Sequence, residues 1–198
     1  MHPNPSQSIR VFRSDFLESL THVHPIMPLL VWTPLVVTLL WRSIFLYKIP
    51  GAEIAGMAVL GVLTWTIIEY SAHRFLFHFK AKHRITRFLV FLFHGIHHDA
   101  PQDKTRLVMP PVGAAIILAI LWSLFALVIP SPWIEPFIAF FAIGYLTYDY
   151  THYAVHHFML RNRVARYLKS YHMQHHYKMP DRHFGVSSPL WDWVFGTK

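Results

Sequence analysis

Four long apolar stretches constrain this chain more than any other feature. They run from about Pro25 to Tyr47, Ile54 to Tyr70, Val108 to Ile129 and Trp133 to Tyr150. As helices rising ~1.5 Å per residue, they are long enough to cross a hydrocarbon core of ~30 Å. Charge touches them only near their ends, at Arg42, Glu69 and Asp149, with Glu135 at the start of the fourth. The link from Lys48 to Glu53 contains a Pro-Gly turn, and Pro130-Ser131-Pro132 parts the third stretch from the fourth, so two helical hairpins are expected. A soluble all-α protein with a buried core is the alternative. It would need polar chain to cover that core, yet only 14% of the 198 residues are charged and mean hydropathy is +0.31, against ~25% charged in ordinary soluble domains.

Charge placement then sets an orientation. With the N-terminus inside, sixteen of the eighteen Lys and Arg residues fall on the inner side and only Arg42 and Lys48 outside, as the positive-inside rule demands. The +8 net charge is thereby explained by loops facing anionic headgroups, with no nucleic-acid partner. The absence of cysteine excludes a disulfide scaffold, a Cys-ligated zinc finger and a thiol enzyme. The first apolar run is too long for a cleavable signal core, and Val11, Phe12, Phe16, Leu17 and Leu20 are spaced for a short interfacial helix between Ser8 and Leu20.

The chemistry resides in histidine. Sixteen are present, and thirteen gather in blocks after the second and fourth stretches: His73 and His78; His94, His97 and His98; His152, His156 and His157; His172, His175 and His176; with His83 and His183 apart. Residues three or four apart on a helix share a face and can converge on one ion. His94, His97 and His98 satisfy this, as do His152 with His156, and His172 with His175 and His176. His73 and His78 point ~140° apart on an ideal helix, so they serve different ions or sit across a bend. The ten imidazoles His73, His78, His94, His97, His98, His152, His156, His172, His175 and His176 exceed what one ion can hold, which implies two. Imidazole suits iron, zinc, copper and nickel alike, but an all-His set with surplus ligands fits a redox pair with open positions for O2 better than a structural zinc site. Two iron ions are the expected cofactor, with zinc able to substitute in purified protein. The lone residues His2, His22, His24 and His83 read as surface or hydrogen-bonded histidines. His157 and His183 stand between the two readings.

With these blocks in view, the chain resembles the fatty acid hydroxylase superfamily of membrane diiron enzymes, and within it the fatty acid 2-hydroxylases. Beyond the histidines, the likeness rests on Arg13-Ser-Asp-Phe-Leu-Glu18, the connector from Ala100 to Pro111, Tyr148-Asp149-Tyr150 and the stretch from His183 to Thr197. The resemblance implies an O2-dependent monooxygenase that hydroxylates the 2-position of an acyl chain, free or within a sphingolipid. It divides the ligands into His78, His94, His97, His152 and His156 for one ion and His73, His98, His172, His175 and His176 for the other. Asp149 and Glu69, each one helical turn ahead of a ligand, are candidates to orient imidazoles or to serve as capping or interfacial carboxylates, and Tyr148 to position substrate. Many relatives carry an N-terminal cytochrome b5 domain, whereas about 24 residues precede the first span here, so a separate donor such as cytochrome b5 or ferredoxin is expected on the basic face. A sterol or carotenoid hydroxylase or desaturase is the near alternative. A His-rich metal transporter is the remote one, since transporters place ligands near the bilayer midplane and these histidines cluster at helix ends.

The expected fold is therefore an all-α integral membrane protein: four transmembrane helices with a cytoplasmic helical cap that holds a dimetal site. One hydroxylase domain fills 1–198, made of an N-terminal interfacial segment 1–24, membrane hairpins 25–150 with a cytoplasmic loop 71–107, and a His-rich cap 151–198. Its expected location is a bacterial inner membrane or the endoplasmic reticulum, with the active site on the cytoplasmic face.

Overall fold

The computed structural model describes residues 8–198, and His2 lies outside the described residues. Among them the only regular elements are helices: α1 (Asp15–Ser19), α2 (Met27–Trp41), α3 (Gly51–Ser71), α4 (Arg84–Val90), α5 (Ile96–Asp99), α6 (Pro111–Phe125), α7 (Ile134–His157), α8 (Arg163–Tyr177) and α9 (Leu190–Phe195). Three of them run directly into a turn of π-helix: α2 into Arg42–Leu46, α3 into Ala72–Phe77 and α4 into Phe91–Gly95. The chain forms two compact units, and the boundaries between them fall at α3 and α7 and near the ends of the connecting loops.

One unit comprises residues 26–65 and 109–147, and α7 is its centre. Phe137, Ile138, Ala139 and Ala142 on α7 are fully buried against Val36 and Leu39 of α2. The Trp65 ring meets Phe141 and Tyr145 edge-on, with centroids 5.2 and 5.4 Å apart. Gly61 makes this approach possible, because a Cβ there would lie 2.6 Å from the Phe137 carbonyl oxygen. Arg42 donates to Glu135 at 2.9 and 2.8 Å and to the Tyr47 hydroxyl at 2.6 Å, so these two charges of the apolar unit are paired with each other.

The outward faces of the same helices are apolar: Leu30, Val59 and Ile116 are each about 60% exposed. Met27–Leu46 and Gly51–Phe77 are long and apolar enough to cross a membrane, and only 22% and 6% of their apolar windows are buried. A core helix of a soluble protein would be mostly buried, so these exposed faces favour a lipid surrounding. Length and composition mark these two of the four expected spans. α6 has 15 residues, ~22 Å at helical rise, because the chain turns from Ala126 onward, ahead of Pro130. α7 is 24 residues long, but it carries acids and histidines and turns its apolar side chains inward.

Of the described residues, the other unit comprises 8–25, 66–108 and 148–198. Its N-terminal segment is tied to the connector. The Glu18 carboxylate accepts from the N–H groups of Val11 and Phe12 at 3.0 and 2.8 Å and pairs with Arg106, and the Val23 N–H donates to Thr105 O at 2.7 Å. Val23, Leu107 and Val108 are buried together beside Tyr153. The helix expected between Ser8 and Leu20 is confined to α1, since Ser14 caps it and Glu18 holds the preceding backbone instead. In α8, Asn162 caps the first turn through Ala165 N–H at 2.7 Å, and Tyr171, His172 and His175 form the buried face.

Candidate metal centre

All ten clustered histidines lie in this second unit, and they form two groups of five. His73, His78, His94, His98 and His175 offer ring nitrogens within 4.8 Å of one another, and so do His97, His152, His156, His172 and His176. This corrects the division implied by the family resemblance, which set His73 apart from His78 and joined His94 to His97. The reason is local. The π turn Ala72–Phe77 closes with His78 N–H on His73 O at 3.2 Å, and i to i+5 bonding stacks residues five apart on one face. His94 and His98 are one α turn apart, as are His152 and His156, and His172 and His176. His97 and His175, each offset around its helix from the neighbouring pair, belong to the other group.

The nitrogen spacing tests whether these residues fit a cation. Within the first group, His94 Nε2 lies 3.0 Å from His73 Nε2 and 2.9 Å from His98 Nε2, and His78 Nε2 lies 3.0 Å from His175 Nε2. Within the second, an unbroken row runs His97, His176, His172, His156 at 3.1, 3.0 and 2.9 Å between Nε2 atoms. A ring nitrogen has one in-plane direction, holding either a proton or a lone pair, so no Nε2 can hydrogen-bond two such neighbours. Adjacent ligands at right angles around an ion with ~2.1 Å metal–nitrogen bonds lie ~3.0 Å apart. Both nitrogens of buried His152 lack a hydrogen-bond partner among the described residues, which again fits a ligand better than a packed imidazole. The residues present therefore fit metal binding.

Protonation state agrees. Burial, reinforced by neighbouring imidazoles, holds His97 and His172 well below the ordinary histidine range. His98 is pushed down to about 3 by burial and its neighbours, and His175 to about 4 by burial. Neutral imidazole is the form that ligates.

Two imidazoles have their tautomer fixed. His73 Nδ1 lies 2.5 Å from Phe184 O and His175 Nδ1 lies 2.6 Å from Arg182 O. A carbonyl only accepts, so each Nδ1 carries the proton and each Nε2 presents a lone pair. The supporting segment, residues 182–198, was not foreseen as part of the site. Its sequence signal is Asp192, a carboxylate between Trp191 and Trp193 that is fully buried.

The remaining candidates are placed as follows. Asp149 is buried on α7 and Tyr148 sets its ring 5.7 Å from that of His152. Glu69 accepts from the N–H groups of Val186 and Ser187 at 2.8 and 2.9 Å and from the Ser187 hydroxyl at 2.5 Å. His157 packs on Tyr153 at 4.5 Å and His183 on Tyr171 at 4.1 Å, and both stand outside the two groups. His22 lies 2.6 Å from the Thr105 hydroxyl and 2.9 Å from Arg106, while His24 and His83 are exposed.

Comparison with known proteins gives the arrangement a family. The chain is 40% identical over 189 residues to dihydroceramide fatty acyl 2-hydroxylase FAH2 of Arabidopsis thaliana, covering 95% of this chain and 79% of the relative. It is 34% identical to the fatty acid 2-hydroxylase of Rattus norvegicus, covering all of this chain and 58% of that one. A solved structure described as full-length scs7p, with only its hydroxylase domain visible, superposes with a TM-score of 0.87 at 39% identity, covering 92% of this chain and 69% of that chain. The fatty acid hydroxylase family model matches residues 58–197, a span that contains every one of the ten histidines, and the chain belongs to that family.

Proposed function

We propose that this chain is a dimetal monooxygenase of the membrane that hydroxylates the 2-position of a fatty acyl chain, free or within a sphingolipid. The observation that carries the reading is the pair of five-nitrogen groups, in a chain whose relatives are named fatty acid and dihydroceramide fatty acyl 2-hydroxylases. His73, His78, His94, His98 and His175 would hold one ion and His97, His152, His156, His172 and His176 the other. Iron bound there supplies O2 activation, with electrons from an external carrier.

The chain's own residues do the rest. His73 and His175 keep their Nδ1 protons on carbonyls, so their lone pairs face the ion throughout. Tyr148, whose ring lies 5.7 Å from that of His152, and buried Asp149 beside it would line the path of the acyl chain. α3 and α7 end their apolar stretches before the histidines begin, so a lipid held by its headgroup would present the carbons beside its carboxyl or amide group and leave its tail among the helices. Exposed cations, Lys80 among them, suit docking of an acidic carrier such as a cytochrome b5 or a ferredoxin. Four spans with the histidines on the cytoplasmic side follow from the distribution of Lys and Arg.

The deciding experiment supplies iron-loaded protein with an acyl lipid, an electron donor and isotopically labelled O2, and reads the product by mass spectrometry. One labelled oxygen at carbon 2 is expected. Label at a mid-chain carbon, a double bond, or oxygen drawn from water would defeat the proposal. His97→Ala and His175→Ala should each lose metal and activity, whereas His83→Ala should keep both.

A further inference from the structure

The two groups of histidines are supported differently. In the first, His73 and His175 each donate an Nδ1 proton to a backbone carbonyl of the segment Arg182–Phe184. The Phe184 ring also packs edge-on against His73, His78 and His175, with centroids 5.6 to 5.7 Å away. In the second, the Nδ1 atoms of His152, His156, His172 and His176 are buried and meet no acceptor among the described residues. One short segment thus orients ligands of the first group alone.

Two carboxylates hold that segment in place. Asp192, fully buried, accepts from Phe184 N–H at 2.9 Å, Gly185 N–H at 2.7 Å and the Thr197 hydroxyl at 2.7 Å. Thr197 O in turn accepts from His183 N–H at 2.8 Å. His183 sits at φ 59, a left-handed conformation uncommon for a residue with a side chain, and it is flanked by the two carbonyls that face His175 and His73. The turn is tight enough that a Cβ on Gly185 would lie 2.1 Å from Ser188 O. Glu69, on the helix that bears His73, fixes the next two residues, Val186 and Ser187.

We propose that Asp192, with Glu69, is a positioning residue for one metal ion only. By holding the backbone of residues 184–187 it aims the Phe184 and Arg182 carbonyls, which fix the tautomer and ring angle of His73 and His175. The inference rests on the dimetal reading above. Hydrogen-bond partners of ligating histidines commonly change metal affinity 10- to 100-fold, and here that effect falls on the first group and spares the second.

The test is a competition titration of the purified full chain in detergent, loaded with Zn2+ against a chelator, with circular dichroism to follow helicity. Wild type should bind two ions per chain. Asp192→Asn turns one carboxylate oxygen into a donor that faces an N–H or hydroxyl donor, and should weaken one ion about 10- to 100-fold while the other holds its affinity. In a His172→Ala background, where the first group alone is intact, Asp192→Asn should weaken the remaining ion. In a His73→Ala background it should not. Thr197→Val should act in the same direction and on the same ion, and Thr197→Ser, which keeps the hydroxyl, should not; these decide the matter if Asp192→Asn does not fold. Equal weakening of both ions, an effect in the His73→Ala background, or no effect would overturn the proposal. A wild-type stoichiometry other than two would count against the dimetal reading instead, and the effect of Asp192→Asn on the ion that His73→Ala abolishes still decides the positioning role.

Discussion

A buried imidazole held neutral is an acid-labile element as well as a ligand. The folded pKa values of His98 and His175, about 3 and about 4, lie below the ordinary 6.5, so the unfolded chain takes up protons on these residues that the folded chain refuses. Stability from them is present above about pH 6.5 and is lost as pH falls toward their folded values. Metal-free protein should therefore lose helicity on mild acidification between about pH 6.5 and 4, and bound metal should delay that loss, since the ion competes with the proton for the same lone pair. Circular dichroism against pH, with and without Zn2+, checks this; identical curves would contradict it. That these ten imidazoles gather was legible in the sequence, because block spacing exposes them, although it left His157 of the same block undecided. Their partners were not, because the carbonyls of Arg182 and Phe184 belong to the backbone, and no residue type announces an acceptor that any residue could supply.

Register is what the elements add. Spacing read at 3.6 residues per turn joins His152 to His156, but it also gathers His97 with His94 and His98, and His175 with His172 and His176, where each belongs to the other group, and it sends His73 and His78 to different sides. The bend that the sequence left open is a π turn, a one-residue widening with no residue signature in Ala72–Phe77. The same limit applied to length. Apolarity marked where α6 lies but not that the chain would turn after Phe125, well before the proline at 130. Close packing between elements was likewise invisible, since Gly61 reads as a weak point in an apolar helix until Phe137 is seen against it. Gly61→Val should push α3 and α7 apart and cost ~1–3 kcal/mol through overpacking, read as a lower thermal midpoint in detergent, whereas Gly56→Val, where nothing lies within 4 Å of the added carbon, should leave it nearly unchanged. Equal shifts for the two would remove the close approach at Gly61 from the account.

For the molecule as a whole, the Lys and Arg distribution predicts a sidedness that labelling can check. Cysteines introduced at Ser131, in the link between α6 and α7, and at Met159, which is 96% exposed just beyond α7, should react with an impermeant reagent from opposite sides of the membrane; reaction from one side would refute the four-span arrangement. A consequence in time follows from the place of α8 in the chain. It supplies His175 to one group and His172 with His176 to the other, and translation delivers it after seven of the ten ligands. On the dimetal reading both sets would therefore stay incomplete until α8 is made, and its arrival would complete them together. On the same reading, a chain cut short of Arg163 would hold no whole site of either kind.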